Sequence, residues 1–478
     1  MKLADPRHRW FALIVLCLGV LMIVLDTTIV NVALPSIRSD LHFSETGLVW
    51  VVNAYLLTFG GCLLLGGRLG DLYGHRRLFL IGLASFTLAS LACGVATTQV
   101  LLVVARAVQG IGGAVVSAVA LSLITTLFPE PAERAKAMGV YGFVCAGGGC
   151  IGVLLGGLLT GTLGWHSVFL VNLPIGVLVF AMCVRLVPVV RVDLQHRSLD
   201  LPGAITVTAA LMLAVYAIVG GNEAGWNSAR TLALLGSSGL LLCVFLAIES
   251  RVRAPLMPLS MFRLRNIAVS NIVGVLWAAA MFAWFFITAL YMQLVLGYAP
   301  MQVGLAFFPS DLIMAIFSLG LSAKVVMRFG LRKPACAGLL LAALGLVLFA
   351  LAPRDGNFPW HILPGMVLLG IGAGLAFNPV LLAAMGDARP EDAGLASGLV
   401  NTAFMMGGAL GLAVLASVAA ARTSALGGAA SPAALTAGYH LAFAAGAAFA
   451  VIAALLCLLL RESGHAATSG AAAPEPVA

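Results

Sequence analysis

A chain of 478 residues that is 62% hydrophobic and only 9% charged cannot cover a globular surface with polar groups, since soluble domains carry about 25% charged residues. That excludes a large soluble enzyme. The net charge of +8 raises nucleic acid as a partner, and the placement of the basic residues excludes it.

A bilayer core about 30 Å thick takes about 20 apolar residues per spanning helix. Such runs recur along the chain and predict helices at about 10–34, 47–69, 78–98, 100–127, 137–162, 168–188, 201–220, 230–248, 267–290, 302–324, 335–352, 361–383, 394–418 and 437–460. The first run, Trp10 to Pro35, is too long for a secretory signal and no small-residue cleavage site follows it, so it reads as a retained helix. No polar stretch between the runs is long enough for a soluble domain. The last residues, 464–478, are small, polar and Pro-bearing, and read as a disordered tail.

An even number of spans puts both termini on one side. Twenty-one of the 26 basic residues then fall in segments on that side, four fall on the other, and Arg106 lies within a helix. By the positive-inside rule the shared side is the cytoplasm. The expected location is a bacterial inner membrane, with lipid as the surrounding partner and no nucleic acid.

The chain repeats itself weakly. The loop after the second helix reads GGRLGDLYGHRR (66–77), and the loop after the tenth reads SAKVVMRFGLRK (322–333). Aligning Gly74 with Gly330 puts Arg76 on Arg332 and Arg77 on Lys333, while Asp71 falls on Met327. The expected architecture is an all-α polytopic membrane protein of two related six-helix bundles, 10–188 and 267–460, with two inserted helices at 201–248. Two parallel halves around a midplane site are a transporter architecture.

Four stretches carry a family resemblance: LDTTIVNVALP (25–35), GRLGDLYGHRR (67–77), RAVQGIGGA (106–114) and WHSVFLVNLPIG (165–176). PLMPLSMFRLRN (255–266) adds to it. Over about residues 10–460 the chain resembles the major facilitator superfamily, and within it the fourteen-helix drug:proton antiporters of the EmrB/QacA type. The resemblance implies export of lipophilic small molecules in exchange for protons. It implies gating by Gly67, Asp71, Gly74, Arg76 and Arg77, where the acid braces the opposite half near a helix N-terminus and favours the outward-open state. Gly152, Gly156 and Gly157 join that gating set, because they allow close helix approach at the interface of the two halves. The chain departs from the antiporter motif at Val153, where a helix-bending proline is usual; His166 stands where an arginine is common.

Charges inside a bilayer are costly and signal function. Asp26 lies ~24 Å along the first helix at ~1.5 Å per residue, and Arg106 lies in the outer part of the fourth, at similar depth. Facing one cavity, they would let proton uptake follow helix movement, because an acid beside an arginine and an acid alone titrate differently. The alternative is a fixed salt bridge that only joins the two helices. Asp311 lies near mid-bilayer in the tenth helix. It reads as a contact for a cationic substrate, as a further proton site, or as a bond to a neighbouring helix. Phe285, Phe286, Phe307 and Phe308 lie near it in sequence, with Phe282 and Trp284, and aromatic faces attract cations by roughly 0.5–2 kcal/mol each. Asn401 adds a polar contact.

Nine cysteines lie in or beside apolar runs without a CxxC pair, the eight histidines are scattered, and no metal site or cofactor is expected. No GxxxxGK[ST], HExxH or GxSxG occurs, so neither an ATPase nor a hydrolytic enzyme is expected. Two other functions stay open: a dedicated exporter of one physiological compound, and a non-transporting receptor on the same scaffold. A periplasmic adaptor is also left open.

Overall fold

The computed structural model describes residues 6–187, 200–252, 255–386, 393–428 and 431–461. The tail at 464–478 lies outside the described residues, as does the side chain of Asp71. Among the described residues the chain is helical without strands.

The first six long helices are α1 (Pro6–Leu41), α2 (Val49–Tyr73), α3 (His75–Gly94), α4 (Gln99–Leu127), α5 (Pro131–Leu163) and α6 (Asn172–Leu186). A hairpin follows, α7 (Leu201–Ala224) and α8 (Ala229–Glu249). The last six are α9 (Arg265–Leu290), α10 (Pro300–Ile316), α11 (Arg332–Ala350), α12 (Leu363–Gly386), α13 (Ala393–Ala425) and α14 (Pro432–Cys457). Among the described residues, thirteen helical stretches are long and apolar enough to cross a membrane.

The tenth helix differs from expectation. In place of one span at 302–324, α10 ends at Ile316, a π-helical turn covers Phe317–Leu321, and a short helix follows at Ser322–Phe329. The cause is local. Pro309 supplies no N–H to the helix ladder. Gly320 sits at φ 136°, a value that side chains with a Cβ rarely adopt.

The packing repeats with a shift of eight helices. In the first set α1 packs on α5 and α6, α2 on α4, and α3 on α4 and α6. In the last set α9 packs on α13 and α14, α10 on α12, and α11 on α12 and α14. The two sets meet at two seams, α5 against α10 and α2 against α13, which the same shift interchanges. Gly74 and Gly330, aligned from sequence, both take positive φ (92° and 77°) at the turn that ends a helix. The α7–α8 hairpin leans on one seam: α7 packs against α2 and α13, and Asn222 Nδ2 donates to the Ser417 carbonyl at 2.7 Å.

α5 runs unbroken for 33 residues through Val153, as expected for a helix without the proline. Its glycines are divided between two neighbours. Cβ atoms at Gly152 and Gly156 would run into Thr28 and Ile29 of α1, whereas one at Gly157 would lie 2.8 Å from the Pro300 carbonyl of α10.

Candidate functional site

A carboxylate inside an apolar bundle needs its oxygens hydrogen-bonded, and an unpaired charge there is costly. Asp26 meets that requirement in full. Its Oδ2 accepts from Arg106 Nη1 at 2.5 Å, and its Oδ1 accepts from Gln109 Nε2 at 2.7 Å and from Asn172 Nδ2 at 3.1 Å. Arg106 is satisfied in turn. Its Nε donates to the Val51 carbonyl at 2.9 Å, and its Nη1 also reaches Gln109 Oε1 at 2.8 Å. The guanidinium lies over the ring of Tyr55 at 4.5 Å and over that of Phe169 at 5.7 Å. Ser90 on α3 accepts from Asn172 Nδ2 at 2.9 Å and donates to the Phe169 carbonyl at 2.9 Å. Five helices therefore contribute to one network.

Asp26 is 0% and Arg106 1% exposed. Sequence placed both at one depth facing a shared cavity. The structure pairs them directly and buries them among α1, α2, α3, α4 and α6 of the first helix set. Gln109 and Asn172, which complete the network, lie within quoted motifs but were not singled out. The available signal was a neutral amide in an apolar run.

Asp311 is built in the opposite way. It is 2% exposed, and its Oδ2 has no hydrogen-bond partner. Among the described residues no ion pair includes it. It sits at the seam, beside Cys150 of α5. Phe308 packs against Cys150 and Ala315 at the same place. Pro309 precedes Asp311 by two residues and the π-turn begins six residues after it, so the acid lies between two departures from regular helix.

The predicted aromatics separate. Phe285 and Phe307 stack at 5.4 Å, Trp284 meets Phe307 at 5.6 Å, and Phe349 meets Phe443 at 5.3 Å. Trp284 and Phe349, 6.3 Å apart, join these rings into a packed column through α9, α10, α11 and α14, and Phe286 is buried in the same core. A different group lines a small pocket that contains Asn401: Trp277 of α9, Phe377 of α12 and Phe404 of α13. Trp277 Nε1 is buried there without an acceptor. Asn401 Nδ2 donates to the Ser397 carbonyl at 3.0 Å.

At the loop end of the first set, Arg76 donates to the Val184 carbonyl of α6, which ties the start of α3 to the end of α6. Arg77 is exposed. A Cβ at Gly67 would meet only Ala118, at 3.9 Å, so its site has room.

Two helix sets that repeat each other's packing, share two seams and bury one acid each define a membrane transporter of the secondary type. Residues 16–412 match the family model of the Major Facilitator Superfamily, and the chain belongs to that family of membrane transporters. It is 40% identical over 470 residues to the cephamycin export protein CmcT of Amycolatopsis lactamdurans, covering 98% of this chain and 96% of that protein. It is 40% identical over 423 residues to the puromycin resistance protein pur8 of Streptomyces alboniger, covering 88% and 84%. Its fold is similar to that of the human organic anion transporter MFSD10, with a TM-score of 0.63 and 18% identity over 95% of this chain and 100% of that one.

Proposed function

We propose that this transporter is an inner-membrane exporter of a lipophilic, antibiotic-like small molecule, driven by inward proton flow. In this reading α1–α6 and α9–α14 are the moving halves, α7–α8 is an inserted pair, and both termini are cytoplasmic. The basic residues crowded on one side support that orientation. The two relatives support the substrate class, because each is named for one antibiotic.

One observation carries the coupling: the buried Asp311 oxygen without a partner, at the seam between the halves. A proton on Asp311 displaces no existing hydrogen bond. A proton on Asp26 cancels the charge that holds Arg106 and weakens the bonds it accepts from Gln109 and Asn172. Asp311 is therefore the acid loaded in this state, and Asp26 takes a proton only when α1 and α4 part. Substrate enters beside Asp311, and its apolar body meets the separate pocket of Asn401, Trp277, Phe377 and Phe404. The Gly67–Arg77 turn acts as a gate between halves.

The test is resistance of a drug-sensitive bacterium to puromycin and to a cephamycin, followed by uptake of the conferring drug into inverted vesicles under an imposed pH gradient. Gradient-driven uptake is expected in the parent and absent in Asp311→Asn, with binding of the drug retained. Uptake in Asp311→Asn that still follows the gradient would remove Asp311 from coupling.

A further inference from the structure

The α7–α8 hairpin has no part in the coupling just described, yet it completes a second cavity. This cavity, of about 390 Å³, opens at the end of the molecule where α2 begins, α7 ends and α8 begins. Sites for small ligands fall at about 300–1,000 Å³. Ser44, Thr46 and Trp50 line it from the α1–α2 side, and Tyr216, Glu223 and Arg230 line it from the hairpin.

The lining has a definite chemistry. Trp50 and Tyr216 approach to 6.3 Å with tilted rings, giving the cavity two aromatic walls. Arg230 Nη2 donates to the Tyr216 hydroxyl at 2.7 Å, and its guanidinium lies 5.7 Å from that ring. One of its five donors is thereby used and the cation is held in place. Glu223 lines the same cavity and makes no ion pair among the described residues. An acid and a base that share a cavity without pairing match a ligand that carries both charges. The position matches too, because Trp and Tyr collect at the boundary between hydrocarbon and water, where headgroups lie.

We propose that this cavity holds a zwitterionic phosphoethanolamine headgroup, supplied by a phosphatidylethanolamine of the adjoining leaflet. The phosphate meets Arg230 through charge-assisted hydrogen bonds. The ammonium meets Glu223 and the faces of Trp50 and Tyr216. The bound lipid clamps the hairpin to the α2 end. Through the Asn222–Ser417 bonds it steadies α7 against α13, a helix of the other set. This assigns the inserted pair a lipid-binding role that does not depend on which acid carries protons.

The experiment uses the full chain, purified and delipidated in detergent. Native mass spectrometry compares phosphatidylethanolamine with phosphatidylglycerol of the same acyl chains, which lacks the ammonium. Soluble glycerophosphoethanolamine is added as a competitor. Preferential retention of phosphatidylethanolamine is expected, with displacement by the soluble headgroup. Glu223→Gln and Arg230→Gln should each weaken retention about tenfold. Both side chains are exposed, so both variants should melt with the parent in lipid-free detergent. Equal retention of the two lipids, or unchanged retention in both variants, would overturn the proposal. Binding of glycerophosphoethanolamine with no retention of either lipid would also overturn it, by making the occupant a soluble molecule.

Discussion

Asp26 and Asp311 are the buried acids of two helix sets that pack alike, and their surroundings differ in almost every respect. Both oxygens of Asp26 are hydrogen-bonded, one of them to an arginine that itself bonds the Val51 carbonyl and Gln109. Asp311 keeps one oxygen bare. The helices around Asp26 run without interruption, and α5 keeps a regular ladder through Val153. The last set holds π-helical turns at Tyr291–Val295, Phe317–Leu321 and Phe358–Ile362. Regular helix accompanies the neutralised charge, and irregular helix accompanies the bare one. A π-turn lets a helix change register at low cost, and such turns gather at functional sites. On the proposed reading, the Asp26 network is the frame of its helix set, and the stretch around Asp311 is the part that responds.

Breaking the frame should have the largest effect. Arg106→Ala leaves the Asp26 carboxylate buried without its cation and strips a donor from the Val51 carbonyl. Loss of one partner from a buried pair costs about 3–5 kcal/mol. Thermal unfolding in detergent should show a markedly lower melting temperature. Double replacement by Asp26→Leu and Arg106→Leu should recover part of that loss. A single replacement that melts with the parent would mean the network does not hold α1, α4 and α6 together.

The seam comes next. A Cβ at Gly304 would lie 2.5 Å from the Val153 carbonyl, so Gly304→Ala must push α10 away from α5. Overpacking of this kind costs about 1–3 kcal/mol. Cys150 lies on the same seam and is buried. In a background where Cys150 is the sole cysteine, Gly304→Ala should raise its alkylation rate. An unchanged rate would show that the seam does not depend on this close approach.

Asp311→Asn sharpens the comparison from the other side. No ion pair is lost, so stability should change by less than about 1 kcal/mol while gradient-driven transport is lost. Asp26→Asn should destabilise more, because its new amide faces the donors of Gln109 and Asn172. Equal melting shifts for the two variants would erase the distinction between frame and responsive part.

What the sequence could express follows the same division. Spans were legible because about 20 apolar residues in a row have few other uses. Asp26, Arg106 and Asp311 were legible because ionised groups are rare in such runs. Which of them were partners was legible only as a matching depth, since pairing depends on the rotation of each helix. Gln109, Asn172 and Ser90 escaped notice because neutral polar residues are tolerated in spans for many reasons. The aromatics show the limit clearly. Phe285 and Phe307 lie near Asp311 in sequence, but their side of the helix turns into the core column, while Trp277 and Phe404 turn towards Asn401. The break in α10 depended on Gly320 adopting positive φ, which composition alone does not specify.

The smallest effect should come from the surface counterpart of the buried pair. Arg38 and Glu45 approach to 3.6 Å in the same helix set, with side chains 23% and 21% exposed against 1% and 0% for Arg106 and Asp26. Burial pushes the Glu45 carboxyl above its ordinary value, and Arg38 only partly opposes this. The folded chain therefore holds that proton more readily than the unfolded one. From about pH 4.3, the ordinary value for glutamate, up to the raised value, stability falls as pH rises. Glu45→Gln removes that slope and gives up an attraction of at most about 1 kcal/mol, offset by the burial cost of the charge that it also removes. Melting curves across the mildly acidic range should run flatter for Glu45→Gln than for the parent, with little difference in absolute stability at neutral pH. A loss as large as that of Arg106→Ala would mean that stability in this helix set follows charge pairing wherever it occurs, rather than the burial that separates Asp26 from Glu45.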